Sequence, residues 1–237
     1  MDFYHMLSEY YDMVFSDIRQ EVDFLVSRLE KKEDRILDIA CGTGQYSMAL
    51  LDKGFIHIDA VDLDPSMIAQ AEIKTDKIDF RTGDMQKLNE YYTGPYKLMF
   101  CTGNSISHLD SPAAAGSFIA DCHLLLAPGG RLIIQIINYD RIYAKSITAL
   151  PLIVKDNITF ERKYTLKDSG VIFTGILTVD GRKYQSSVDL LSLKHKELYS
   201  LLKDNGFTDI ELYGGFDSSP YDPLTSYALV AEALKSL

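Results

Sequence analysis

Gly42 and Gly44, Asp62 and Asp84 each fall at the end of a short apolar run. The first run, Ile36-Leu37-Asp38-Ile39, stops at Ala40-Cys41-Gly42-Thr43-Gly44, and a helix-spaced set (Met48, Leu50, Leu51) begins near Gln45. Strand, tight glycine turn and helix form the opening unit of a nucleotide-binding α/β sheet. Glycine lets the backbone turn sharply and approach a ligand. The helix that follows presents unpaired N–H groups to a carboxylate or phosphate. Asp62 ends the run His57–Val61, and its two acceptor oxygens suit a ribose diol. Asp84, in Gly83-Asp84-Met85 after Ile78–Thr82, offers an acceptor for an exocyclic amine such as that of adenine. The fourth run, Tyr96–Cys101, opens into the small polar loop Thr102-Gly103-Asn104-Ser105. Ribose, adenine and an anionic group together describe either a dinucleotide or S-adenosylmethionine. A dinucleotide fingerprint needs a third glycine or alanine where this chain has Ser47, and no P-loop lysine follows the turn.

The elements that must position these groups alternate strand and helix, which argues for a parallel sheet with helices on both sides. An amphipathic helix over Ser16–Glu30 (Ile18, Val22, Leu25, Val26, Leu29) precedes the first strand. Before it, Tyr4–Phe15 is dense in aromatics and is expected to form a flap. Pro65 and Pro112 suit first helical turns. Pro128-Gly129-Gly130 should end the helix begun at Ser111, and Arg131–Ile137 should be a fifth strand. From Leu152 to Leu193 the period changes to alternation, with turn signals at Asp168-Ser169-Gly170 and Asp180-Gly181. This predicts an antiparallel insertion of three or four strands. A helix from His195 closes at Asn205-Gly206, and strands are expected at Ile210–Tyr213 and Ser226–Ala231.

Composition narrows the class. The 237 residues suffice for one large α/β domain with a modest insertion, and the net charge of -10 disfavours a nucleic-acid partner. Cys41, Cys101 and Cys122 have neither a disulfide nor a metal-ligand spacing, and no metal site is expected. The N-terminus lacks a basic start followed by a long apolar run, and no run approaches the ~18 apolar residues of a membrane span. A cytoplasmic location and no membrane partner are the expectation.

Leu37-Asp38-Ile39-Ala40-Cys41-Gly42-Thr43-Gly44 resembles the first motif of the Rossmann-like (class I) S-adenosylmethionine-dependent methyltransferases. Val61-Asp62-Leu63-Asp64-Pro65-Ser66-Met67 resembles their second-strand motif, Gly83-Asp84-Met85 their adenine corner, and Leu126-Ala127-Pro128-Gly129-Gly130 their turn before the fifth strand. The four motifs run in order across Arg35–Ile137; Ala40 stands where the fuller pattern has a glycine. The resemblance implies a seven-stranded, mostly parallel sheet with an antiparallel seventh strand, helices on both faces, and the small antiparallel β insertion. It divides the chain into a cofactor-binding domain with an N-terminal helical flap (1–140 and 194–237) and a substrate lid (141–193). It also implies roles: Gly42 and Gly44 toward the methionine part, Asp62 on the ribose, Leu63 and Met85 on the adenine faces, Asp84 on its amine. Ala40, Thr43, Met67, Gly83, Thr102, Gly103 and Asn104 complete the expected cofactor wall.

The acceptor is less constrained, because methyl transfer needs mainly alignment and a dry pocket. Base-methylating enzymes usually show an Asn/Asp-Pro-Pro-aromatic run where this chain has Thr102-Gly103-Asn104-Ser105. Cytosine carbon methylation needs a cysteine after proline, and Phe100 precedes Cys101. No carboxylate cluster of the metal-dependent catechol type is present. Asn138-Tyr139-Asp140, with Gly103–Leu109, resembles segments of glycine and sarcosine N-methyltransferases. That likeness implies Asn138 as a substrate-carboxylate ligand, and Arg141 adds a charge partner. His108 is a candidate base or cofactor contact. Among Tyr4, Tyr10 and Tyr11, Tyr11 is the first candidate to cover the sulfonium, which an aromatic face or hydroxyl oxygen favours. Tyr11, His108 and Asn138 are thus expected at the reacting centre, positioning rather than doing acid–base work. The reading is a methyltransferase for a small-molecule acceptor, preferably an amine, acting as monomer or homodimer. RNA or protein methylation, a non-catalytic cofactor-binding module and a dinucleotide-dependent oxidoreductase stand as alternatives.

Overall fold

The apolar runs become strands because both of their faces are covered. In β1 (Ile36–Ile39), Ile36 packs into one helix layer while Leu37 and Ile39 pack into the other. The same alternation runs through β4 (Tyr96–Cys101), where Leu98 and Phe100 oppose Met99 and Cys101. The computed structural model describes residues 3–168 and 170–237, with side chains from Met6 onward. Ser169, in one expected turn, and the side chain of Tyr4 lie outside the described residues.

With β2 (Ile58–Asp62), β3 (Asp79–Thr82) and β5 (Leu126–Ile137), the strands β1 and β4 are parallel, and two strands near the C-terminus complete the sheet. Of these, β11 (Ala228–Lys235) runs antiparallel between β5 and β10 (Phe207–Tyr213), giving the order β10-β11-β5-β4-β1-β2-β3. One face carries α2 (Arg19–Val26), α3 (Gln45–Asp52) and α4 (Pro65–Glu72); the other carries α5 (Leu88–Tyr91), α6 (Pro112–Leu125) and α8 (His195–Asp204). A four-stranded antiparallel sheet, β6 (Ile153–Lys155), β7 (Ile158–Lys167), β8 (Gly170–Val179) and β9 (Arg182–Leu190), follows α7 (Tyr139–Ala144). Against its inner face packs α1 (Phe3–Val14), in a separate apolar cluster of Met6, Leu7, Val14, Met67, Ile158, Phe160, Leu177 and Val179.

Seven strands, one antiparallel, with helices on both faces and a second antiparallel sheet agree with the expected fold. The element bounds differ in places. The helix expected over Ser16–Glu30 spans only Arg19–Val26; Ser27 Oγ turns back onto the Phe24 carbonyl, and Asp34 caps the next turn through the Glu30 and Lys31 N–H groups. The fifth strand starts at Leu126 rather than Arg131, because Pro128-Gly129-Gly130 forms a bulge: Tyr96 pairs with Leu126 and Leu98 with Arg131. β10 begins at Phe207 rather than Ile210, and β11 runs over Ala228–Lys235 rather than Ser226–Ala231. Helix starts follow their caps: Asp64 accepts from Ser66 N ahead of Pro65, and Ser111 from Ala114 N ahead of Pro112.

Candidate active site

The carboxyl ends of β1 to β4 open into one cavity of about 1070 Å³, where an open α/β sheet holds its ligands. Leu7, Tyr11 and Phe15 of α1 wall its far side, with Phe160, Arg162 and Tyr164 of β7 and Phe173 of β8.

The glycine turn shapes the near side. Gly42 and Gly44 have φ of +56° and +76°, which side chains disfavour. A Cβ on Gly44 would come within 2.7 Å of the Phe80 ring, so its role is packing against β3. Gly42 meets the Tyr11 ring, with a Cβ there 3.7 Å from Cε1. Ala40, in the wall as well, holds φ +58°, a strained conformation for alanine at a place where glycine is the resembled residue.

Asp62 is wired into this turn. Its Oδ2 accepts from Gly42 N at 2.7 Å and its Oδ1 from Asp64 N at 2.9 Å. Burial raises its carboxyl above the usual range, and those backbone donors pull it partly back. Leu63, beside it, is 67% exposed at the cavity rim, an apolar face with nothing of the chain upon it. Asp84 caps the following turn through Gln86 N at 2.9 Å, with Gly83 and Met85 alongside in the wall. Met67 of α4 joins them.

Beneath the turn, Asp38 is buried and accepts from Ser47 Oγ at 2.7 Å. Desolvation pushes its carboxyl up to about 7, against that hydrogen bond. Above the turn, Thr43 Oγ1 donates to Asp12 of α1, Lys74 pairs with Asp12, and Lys74 Nζ also donates to the Thr43 carbonyl at 2.7 Å. This latch seats Tyr11, whose phenol is raised by burial and then by Asp62 and Asp12, and so stays neutral.

The loop after β4 is held by Asn104, in the left-handed region at φ +68°. Its Oδ1 accepts from Ile137 N and Ser107 Oγ, both at 3.1 Å, and its Nδ2 donates to Tyr139 Oη. Gly103 N donates to Gln135 Oε1 at 2.8 Å. His108 faces the cavity, where solvent reaches its ring although protein surrounds it; that desolvation lowers its pKa below the ordinary histidine value.

Of the residues picked from sequence, Tyr11, Ala40, Gly42, Asp62, Leu63, Met67, Gly83, Asp84, Met85, Gly103, Asn104 and His108 line this one cavity. Thr43, Gly44, Thr102, Asn138 and Arg141 do not. Thr43 and Thr102 are buried, Thr43 in the latch and Thr102 with its carbonyl accepting from Ser105 Oγ. Asn138 is fully buried in a clasp: Nδ2 reaches the Asp222, Pro223 and Ser226 carbonyls, and Oδ1 caps α7 at Arg141 N. Tyr221 Oη lies 2.7 Å from Asn138 Oδ1 and 3.0 Å from Asp140 Oδ2. Burial alone would raise the Asp140 carboxyl, but hydrogen bonds from His195 and Tyr221 hold it below the usual range. Arg141 stacks 5.3 Å over the ring of Tyr227, which does line the cavity.

Sequence reasoning missed Glu21, Gln135, Arg162 and the roof aromatics. The signal for the roof was present: Phe160, Arg162 and Tyr164 alternate along one strand and so share a face. Among the described residues no group of three or more His, Cys, Asp or Glu side chains could hold a metal ion, and no helix is long and apolar enough to cross a membrane.

A glycine turn, two strand-end carboxylates and an apolar rim thus meet in one cavity at the carboxyl ends of the strands. Residues 36–130 match a family described as a methyltransferase domain. A glycine/sarcosine N-methyltransferase of Halorhodospira halochloris is 28% identical over 232 residues, covering 87% of this chain and 78% of its own. An S-adenosylmethionine-dependent methyltransferase of Clostridium acetobutylicum superposes with a TM-score of 0.82 at 18% identity, over 96% of each chain. A sugar N-methyltransferase of Streptoalloteichus sp. superposes at 0.74 and 18% identity, over 96% of this chain and 92% of its own. The chain carries a methyltransferase domain over residues 36–130 and is similar across most of its length to S-adenosylmethionine-dependent methyltransferases.

Proposed function

We propose that this enzyme methylates the nitrogen of a small-molecule amine. The observation that carries the reading is the convergence of Gly42, Asp62 and Asp84 from three strand ends upon one cavity roofed by a second sheet. The glycine/sarcosine N-methyltransferase and the sugar N-methyltransferase to which this chain is similar support nitrogen as the acceptor atom.

The residues present fit the cofactor: Asp62 the ribose hydroxyls, Leu63 and Met85 the adenine faces, Asp84 the adenine amine, and Gly42 the methionine part. When bound, S-adenosylmethionine supplies a methyl group that passes to a nitrogen lone pair while the carbon–sulfur bond electrons stay on sulfur. Glu21, Asp62, Asp64 and Asp84 give this end of the cavity a negative field that favours a cationic ligand. Tyr11, a neutral phenol, offers ring and oxygen to positive charge. His108 stands exposed in the cavity wall with its pKa lowered by partial desolvation, which favours the neutral imidazole that can take the proton the amine loses. Asn138 acts through the clasp that places α7, and α1 with β7 and β8 keeps water from the reacting atoms.

Calorimetric titration with S-adenosylmethionine, S-adenosylhomocysteine and NAD tests the cofactor. Micromolar binding of the first two and none of NAD is expected, and binding of NAD alone would overturn the reading. An acceptor screen read as S-adenosylhomocysteine formed should then find turnover with amines; none with any acceptor would leave a non-catalytic module.

A further inference from the structure

We infer that the acceptor is a bulky apolar or aromatic amine carrying a carboxylate, seated on Arg162 under the roof, rather than an amine as small as glycine. The inference rests on the cavity being the methyl-transfer site.

Size comes first. Pockets for drug-sized ligands run to about 300–1,000 Å³, and this cavity, at about 1070 Å³, has room for the cofactor and a second molecule of comparable bulk. Glycine would leave most of the second compartment to water. The walls there are apolar: Leu109, Leu150, Phe160, Tyr164, Phe173 and Leu190 surround it. Phe160 and Leu190 are only 3% and 4% exposed, and Tyr164 and Phe173 are cross-strand partners with rings 5.7 Å apart. Such a surface favours an apolar or aromatic body.

Charge comes second. The cavity is polarised. Its strand-end half carries Glu21, Asp62, Asp64 and Asp84, whereas Arg162 is the one lysine or arginine among the described residues that line it. Arg162 Nη2 donates to the Pro151 carbonyl at 2.9 Å, Nε is buried with no partner, and no described carboxylate pairs with the guanidinium. Its cross-strand partner is Gly175, which takes no side-chain space beside it. Tyr164, two residues along the same strand face, and Tyr227 line the cavity with Arg162, so aromatic hydroxyls share its compartment. Arg141, stacked behind Tyr227, is a second guanidinium without a carboxylate partner. In a chain of net charge -10, two such cations beside one compartment ask for an anion from outside. A carboxylate matches the guanidinium fork.

The test uses the full-length protein saturated with S-adenosylhomocysteine and titrated calorimetrically with phenylalanine, phenylalaninamide, 4-aminophenylacetate, its amide, and glycine. The acids should bind at least about ten-fold more tightly than their amides, and glycine more weakly than either acid. Arg162→Met and Arg162→Gln should erase the acid–amide difference while S-adenosylhomocysteine affinity and thermal midpoint hold. Equal binding of acids and amides, glycine binding as tightly as the aromatic acids, or no binding of any probe to cofactor-loaded protein would overturn the inference and leave the cofactor reading standing. Failure of S-adenosylhomocysteine itself to bind would overturn both.

Discussion

Asp62 and Asp38 are both carboxylates at the glycine turn, yet their surroundings set them different tasks. Asp62 faces the cavity with each oxygen already holding one backbone N–H, so the turn is pre-shaped before a ligand arrives. Asp62→Ala loses both that bracing and a charge-assisted hydrogen bond of roughly 1.5–3 kcal/mol. Cofactor affinity should fall about ten-fold or more by calorimetry, and unchanged affinity would remove the ribose assignment. Asp38 is buried and accepts a hydrogen bond from Ser47 Oγ. Its carboxyl is raised to about 7, so the folded state keeps a proton that the unfolded chain has lost above pH 4. Its contribution to stability is therefore greatest in acid and declines as pH rises toward 7, by up to about 1.4 kcal/mol per pH unit. Asp38→Asn should flatten that decline in urea midpoints measured from pH 5 to 8. A parallel pH dependence in both proteins would contradict it.

At the scale of elements, α1 is held to the cofactor turn by Asp12, Thr43 and Lys74, and to the second sheet by its apolar face. The two attachments differ in kind. The latch is polar and partly exposed, so it contributes little to global stability but fixes where Tyr11 stands. Asp12→Ala should leave the thermal midpoint within about 2 °C, as surface substitutions stay near 0.5 kcal/mol. It should nonetheless speed cofactor release several-fold in stopped-flow measurements, by freeing α1 at its end over Gly42. An unchanged release rate would detach the latch from function. The roof obeys sheet periodicity: β7 turns Phe160, Arg162 and Tyr164 to one face, and Thr159, Glu161 and Lys163 to the other.

Across the whole molecule, the cavity lies between two apolar clusters: one face of the large sheet, which lines it with Val61, Leu109 and Ile137, and the α1–small-sheet cluster, which lines it with Leu7, Met67 and Phe160. A ligand there bridges both, and its binding energy adds to the stability of the assembled state. S-adenosylhomocysteine at a hundred times its Kd should raise unfolding free energy by about 2.7 kcal/mol. A thermal scan that shifts only part of the transition would show that α1 and the roof melt apart from the large sheet.

The large sheet was legible in the sequence, since strands covered on both faces read as apolar runs and caps such as Asp64-Pro65 mark helix starts locally. The strand-end half of the cavity was legible for the same reason: Gly42, Asp62, Asp84 and Gly103 all sit at strand ends, and a parallel sheet brings consecutive strand ends to one edge. The half under the small sheet was not. Arg162 lies on β7, whose distance from the glycine turn is set by how the small sheet packs upon α1, and Tyr227 precedes β11, which reaches the cavity only by pairing with β5; no local periodicity encodes either. Asn138 shows the converse. Its sequence neighbourhood suggests a substrate ligand, whereas tertiary packing gives every polar atom of its side chain to α7 and the 222–226 loop. Local pattern determines which residues end strands and cap helices, because those choices depend on neighbours a few positions away. Only the tertiary structure decides which side chains share a cavity and which spend their hydrogen bonds holding it together.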